Sequence, residues 1–276
     1  MRARSLAFAV TLVGALTAVE QARGQSAPAG PSDEELRRES QNPVSSLISL
    51  PFQNNTNFPI GPYGRVQDVM DIQPVVPSNF GSVNLITRWI APVIYQPNIA
   101  SPTGSASGLG DMNPTFFLSP AAANKLIWGF GPAFLFPTAT NATLGQGKWG
   151  AGPSLVLLMQ PEHWTIGVLM NNIWSFAGPQ SRPPINQFLL QYFVNYNMSG
   201  GWYVGSQPII TANWRAPANN VWLMPAGFAV GRITRLGRQP INAQAGLYYS
   251  AIHPQDLPYG KWQLRLQLAF LFPKAK

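Results

Sequence analysis

The sequence predicts an all-β fold: a transmembrane antiparallel up-and-down β-barrel of about 12 strands, preceded by a short N-terminal helix. Three observations lead there. Twelve segments alternate large apolar residues with small or polar ones, the connections between them alternate long with short, and aromatic residues recur about ten positions apart on one face of a segment.

The totals agree with such a fold. Only 10% of the 276 residues are charged, against about 25% in an average soluble domain. Aromatics reach 12%, and 25 Gly and 27 Pro punctuate the chain. That mixture suits many short strands joined by turns, with little charged surface facing water. The sequence has no cysteine, which excludes disulfides and thiolate chemistry. Its net charge is +8, yet the thirteen basic residues after position 40 are scattered and not clustered with aromatics. No nucleic-acid partner is expected.

Residues 1–24 read as a secretory signal: Arg2 and Arg4, an apolar stretch from Leu6 to Val19, then the small-x-small site Ala22-Arg23-Gly24. No later segment is apolar for 18 or more residues, so no spanning helix is expected. Residues 25–46 form a polar periplasmic leader, in which Ser32 and Glu35 fit a capping box and predict a short helix near 33–40, closed off by Pro43. Asp33 to Glu39 carries four acids and two arginines, whereas residues 47–276 carry thirteen bases and five acids. These opposite signs allow the leader to act as a plug or to sit at the mouth of the barrel; the alternative is a solvated tether.

Residues 47–276 form the barrel. Period-2 segments lie near 47–52, 69–76, 83–93, 112–119, 126–136, 150–159, 164–174, 187–197, 202–213, 222–232, 241–251 and 262–272. In 126–136, Leu126, Trp128, Phe130 and Phe134 oppose Gly129, Gly131 and Ala133. The long connections are QNNTNFPIGPYGRVQDV, IYQPNIASPTGSASGLGDM, PTATNATLGQGKWG, SFAGPQSRPPIN, WRAPANNV and IHPQDLPYGK; the short ones include PSNFGS, QPEH and MSGG. RITRLGRQP, nearly as long as its opposite numbers, departs from the rule. Long and short loops at opposite ends, with an even strand number, are the habit of outer-membrane barrels.

The last segment shows which face meets lipid. KWQLRLQLAFLFPK puts Trp262, Leu264, Leu266, Leu268, Phe270 and Phe272 on one side, and Gln263, Arg265 and Gln267 on the other. Trp262 and Phe272, like Trp164 and Trp174, stand ten residues apart. At a rise of about 3.3 Å and a tilt near 40° this is a height of about 25 Å, that of the apolar band of an outer-membrane barrel. Closure would pair every backbone group without leaving an edge. Pro74, Pro114, Pro132, Pro153, Pro208 and Pro225 conflict with it, because each removes a ladder donor.

The runs QNPVSSLISLPFQNNTNF, DIQPVVP, NLITRWIAPVIYQP, SGLGDMNPTFFLSP, LIWGFGPAFLFPTAT and LGQGKWGAGPS carry a resemblance over about 41–272. The chain resembles the bacterial outer-membrane proteins labelled neuromedin U, and more broadly the β-barrel transporter family associated with the meta-pathway of phenol degradation. That resemblance implies an outer-membrane barrel with a transport role, and hydrophobic or aromatic solutes. It implies no catalytic residues.

Alternation makes Asp71, Arg88, Asp111 and Arg265 the charged candidates for the lumen, with Gln73, Gln191 and Gln244 among the neutral ones. If the PSNFGS turn pairs Val76 with Val83, counting back places Asp71 opposite Arg88, either as a constriction for a solute or as a structural pair. An enzyme is not expected. His163 sits in a short turn, and His253 with Ser250 and Asp256 in one Pro-rich loop is a weak outline of an acyl-transfer triad. No metal-ligand spacing occurs, and GLGD and GQGKWGAG lack the strand-to-helix context of a phosphate cradle. The sequence therefore predicts a porin-like channel or transporter in the cell outer membrane of a Gram-negative bacterium, with a sealed scaffold or surface-recognition barrel as the alternative. No cofactor is expected. The expected partners are outer-membrane lipid, a small-molecule solute and the barrel-assembly machinery, which would read the terminal strand ending at Phe272. The expected form is a monomer.

Overall fold

The computed structural model describes residues 31–122 and 124–273; the expected signal over 1–24 lies outside them. Among the described residues one α-helix, α1 (Asp33–Ser40), precedes sixteen strand segments. In chain order these are β1 (Ile48–Ile60), β2 (Arg65–Ile72), β3 (Val75–Phe80), β4 (Val83–Arg88), β5 (Ala91–Pro97), β6 (Ser105–Leu109), β7 (Thr115–Pro120) and β8 (Leu126–Leu135). Then come β9 (Trp149–Met159), β10 (Trp164–Ala177), β11 (Asn186–Asn197), β12 (Trp202–Ser206), β13 (Ile209–Asn213), β14 (Trp222–Leu236), β15 (Gln239–Ile252) and β16 (Trp262–Phe272). Four strands are broken in two, at β2/β3, β4/β5, β6/β7 and β12/β13, so the segments make a closed antiparallel barrel of 12 strands. β16 returns to β1 over the register Ile48↔Phe272 to Phe58↔Trp262, and this pairing removes both edges.

The six prolines that conflict with a continuous ladder all have an explanation. Pro74 and Pro208 sit in strand breaks, and Pro114 ends the break before β7. Pro132 and Pro153 oppose each other across β8 and β9, so two missing donors share one position. Pro225 falls at the register shift between β14 and β15. The backbone still pairs through the breaks in the second to fourth strands: Trp89 donates to the Pro74 carbonyl at 3.1 Å, and Asn113 to that of Ile90 at 2.9 Å.

Large side chains face outward, as lipid requires. Trp149, Trp174, Trp214 and Trp262 are exposed near the long-loop end, and Trp164, Tyr196 and Phe272 near the short-turn end. Neighbouring rings touch along these girdles, with centroids 5.0 Å apart for Tyr249 and Trp262 and 5.0 Å for Trp164 and Tyr196. A closed barrel with an apolar belt edged by aromatics is built for the outer membrane.

Three sequence expectations are corrected. The stretch QNNTNFPIGPYGRVQDV is not a loop, because β1 and β2 run through it to a tight turn at 61–64. Its polar residues belong to the ladder: Asn57 donates to Gln67 (2.9 Å) and Gln67 to Gln96 (2.5 Å). RITRLGRQP is likewise strand, turned by Gly237-Arg238 alone, with Gly237 at φ +62° where a side chain would be strained. Finally, Gly81-Ser82 make a two-residue turn that pairs Phe80 with Val83 and Val75 with Arg88. Asp71 therefore faces Pro92, not Arg88.

The leader enters the barrel. Ser32 caps α1 by accepting from the Glu35 amide at 3.1 Å. Buried Leu36 packs with Leu47, Ile233, Ala269 and Leu271. Arg37 donates to the Met198 carbonyl (2.7 Å) and Arg38 to that of Gln160 (2.9 Å), which ties the helix to two short turns. Burial lowers the pKa of the Arg37 guanidinium, and the neighbouring charge of Glu34 opposes this. Val44 then reaches the inner wall among Ile86, Phe117, Val156, Leu158, Leu169 and Phe193. Gly129 makes room for it, since a Cβ there would lie 2.8 Å from Val44 Cγ1.

Candidate functional site

The lumen has two unlike walls. From β4 to β11 it carries the same buried apolar cluster that receives Val44, with Asn171, Gln191 and Asn195 beside it. From β15 through β16 to β2 it is rich in carboxamides, with Gln244 and Asn242 on β15, Gln267 on β16 and Gln53 and Asn55 on β1. The sequence reading of a lumen ringed by amides and guanidiniums omits the apolar cluster of the first wall. Leu189 and Phe193, apolar members of an otherwise Gln/Asn face, were the available signal for the first.

Between the walls lies a cavity of about 200 Å³. Leader residues Glu39 to Ser45 form its floor, and Leu169, Leu189, Phe193 and Ile209 give it an apolar side. Asp71, Gln73, Arg88, Gln191 and Gln244 all line it. The leader's share of the lining, and that of Tyr203, carry no periodic signal. Tyr203 comes from β12 and donates through its hydroxyl to Asn242 Oδ1 at 2.8 Å.

Arg265 lies one residue pair nearer the long-loop end than the Gln53–Gln267 row, and is almost completely buried. It donates from Nε to Asn55 Oδ1 (3.0 Å), from Nη1 to the Gln207 carbonyl (2.8 Å) and from Nη2 to Gln263 Oε1 (3.0 Å). Its guanidinium also stands 4.7 Å from the centre of the Tyr248 ring. Because Gln207 lies in the break between β12 and β13, this side chain bridges the bore above the cavity.

Asp71 and Arg88 do not form an ion pair. Asp71 accepts from Asn55 Nδ2 at 3.2 Å, and Arg88 donates to Gln73 Oε1 at 2.9 Å. Asp111 is placed elsewhere: it sits in the 110–114 break and accepts from the backbone amides of Ala139 (3.1 Å), Gln146 (2.6 Å) and Gly147 (3.2 Å). Its work is to hold the long loop 136–148.

The triad outline does not assemble. Ser250 donates to the Gly260 carbonyl, His253 Nδ1 meets its neighbour Pro254's carbonyl, and Asp256 is held by Asn219 and Asn220. Among the described residues no group of three His, Cys, Asp or Glu could hold a metal ion.

No protein-family model matches the chain, and no curated protein matches it. Its fold is similar to that of the COG4313 outer membrane channel from Pseudomonas putida F1, with a TM-score of 0.59 and 16% identity over 84% of this chain and 97% of that one. Weaker likenesses extend to outer membrane phospholipase A from Escherichia coli (TM-score 0.46, 11% identity, 82% of this chain and 92% of that one). They extend also to the P. putida toluene transporter TodX (TM-score 0.41, 10% identity, 83% and 90%). At such identities the likeness is one of architecture, and the chain has the fold of an outer-membrane channel.

Proposed function

We propose that this chain is an outer-membrane channel for small hydrophobic or aromatic solutes, with a lumen narrowed by its own leader. The two-sided cavity carries the proposal. Its volume of about 200 Å³ compares with about 150 Å³ for an apolar cavity that admits benzene, so it has room for one substituted ring. An apolar wall would take the ring, and the facing carboxamides, which both donate and accept, would take a polar substituent. Similarity of fold to an outer-membrane channel supports transport, and the resemblance to the phenol meta-pathway family supports aromatic cargo. The separated Ser250, His253 and Asp256 favour a channel over an enzyme. The working form is a monomer inserted by the barrel-assembly machinery.

The test is uptake. Cells of a porin-deficient Gram-negative strain producing the protein should accumulate labelled toluene several-fold faster than cells without it. Equal rates, both for the whole mature chain and after deletion of residues 25–46, contradict the proposal.

A further inference from the structure

The lumen's charged groups differ in what they leave unused. Arg265 spends its guanidinium on three protein acceptors and the face of Tyr248. Arg88 lines the cavity yet makes a single hydrogen bond, to Gln73, among the described residues. A guanidinium offers five N–H donors in a planar fork, so most of Arg88's remain for something else.

Asp71, the carboxylate that the wall brings to the cavity, is already held by Asn55. Glu39, on the leader at the floor, has interactions of its own. Ile90, Leu169, Leu189 and Phe193 meanwhile supply the apolar side of the same space.

We infer that the cavity selects amphipathic anions, an aromatic or short aliphatic monocarboxylate, and that Arg88 is the residue that determines this specificity by receiving the carboxylate. The inference rests on the channel reading above for its biological setting, since it names the class of solute that the cavity would hold. A planar guanidinium and a carboxylate match as two parallel N–H···O bonds.

Three ligands with one ring and different heads test it: benzoate, benzyl alcohol and benzylamine, each titrated calorimetrically into the folded mature chain in detergent. A charge-assisted hydrogen bond of about 1.5–3 kcal/mol makes benzoate bind about tenfold or more tighter than benzyl alcohol. Benzylamine should be weakest. Arg88→Gln should remove most of the advantage of benzoate over benzyl alcohol, while Arg88→Lys keeps part of it. Benzyl alcohol or benzylamine binding as tightly as benzoate overturns the inference, as does absence of binding by all three or an unaltered preference in Arg88→Gln. If Arg88→Gln fails to give a heat-modifiable folded band, the order of the three ligands on the native chain decides alone. Titration does not depend on transport. Toluene uptake without a benzoate preference removes only this inference, and benzoate binding without uptake removes only the channel.

Discussion

Arg265 of β16 donates to the carbonyl of Gln207 at 2.8 Å, across the bore and into the break between β12 and β13. Pro208 interrupts the ladder there, and the freed carbonyl receives a cation instead of a strand neighbour. The bridge joins the closing seam of the barrel to its ninth strand, so it serves stability and narrows the passage together. Arg265→Ala leaves the Asn55, Gln207 and Gln263 acceptors without their donor. Urea unfolding of the folded protein should show a loss of about 2–4 kcal/mol. In a chain also lacking residues 25–46, the same change should raise single-channel conductance.

A second polar network faces the other way. Gln53 and Asn55 look into the lumen, so Thr56 and its ladder partner Asp68 look out toward lipid. Thr56 donates to Asp68 Oδ1 at 2.6 Å, and Asn54 donates to Thr56 Oγ1 at 3.0 Å. Thr56→Val removes the shorter bond and leaves a carboxylate less well satisfied, at a cost of about 1–3 kcal/mol. Replacing both partners together, Thr56→Val with Asp68→Leu, should recover most of that loss, because apolar groups on this face need no partner. Urea midpoints of the two single variants and the double variant check it; a double variant as unstable as the sum of the singles contradicts it.

The strands from 126 to 272 were the most legible, because their outward residues are bulky and many of their inward ones are small or polar. Leu126, Trp128 and Phe130 against Gly129 and Gly131 are a plain case. Legibility failed where polarity means two things. In a water-soluble protein QNNTN marks a turn; here Gln53, Asn55 and Asn57 mark the inner face of a strand, and Asn54 and Thr56 satisfy Asp68 outside. Register was also beyond periodicity. Whether the β3/β4 turn takes two residues or six depends on Gly81, whose φ of +75° lets Phe80 pair with Val83, and that choice alone separates Asp71 from Arg88. The leader's place in the lumen rests on Leu36 and Val44 finding apolar patches contributed by distant strands, which no local pattern reports.

Asp111 gathers three backbone amides of the loop 136–148. Thr138 adds a bond to the Gly110 carbonyl at 3.0 Å and Thr140 receives one from the Leu109 amide at 3.1 Å. Asp111→Ala removes the common acceptor, leaving the threonines to hold the loop. A loop opening made about 2 kcal/mol easier is populated about thirtyfold more, so limited proteolysis within 136–148 should speed up by an order of magnitude or more while the barrel band persists. Asp111→Asn keeps one acceptor oxygen and should fall between. Unchanged cleavage in Asp111→Ala would assign the loop's order to the threonines alone.

The leader can be tested apart from the barrel because it takes no part in closing the strands: β16 pairs directly with β1 over eleven positions. What docks the helix is Leu36, fully buried among Leu47, Ile233, Ala269 and Leu271, with Arg37 and Arg38 bonded to the carbonyls of Met198 and Gln160. Leu36→Asp puts an unpaired carboxylate into that apolar cluster. An isolated charge there costs several kcal/mol, more than the two arginine bonds, at about 1.5–3 kcal/mol each, can hold against the regained freedom of the chain. The helix should leave the lumen while the barrel stays folded, read as an unchanged heat-modifiable band on gels together with single-channel conductance raised toward that of the chain lacking residues 25–46. Conductance unchanged in Leu36→Asp but raised by the deletion would place the block in residues 41–47, where Val44 and not Leu36 anchors the leader to the wall.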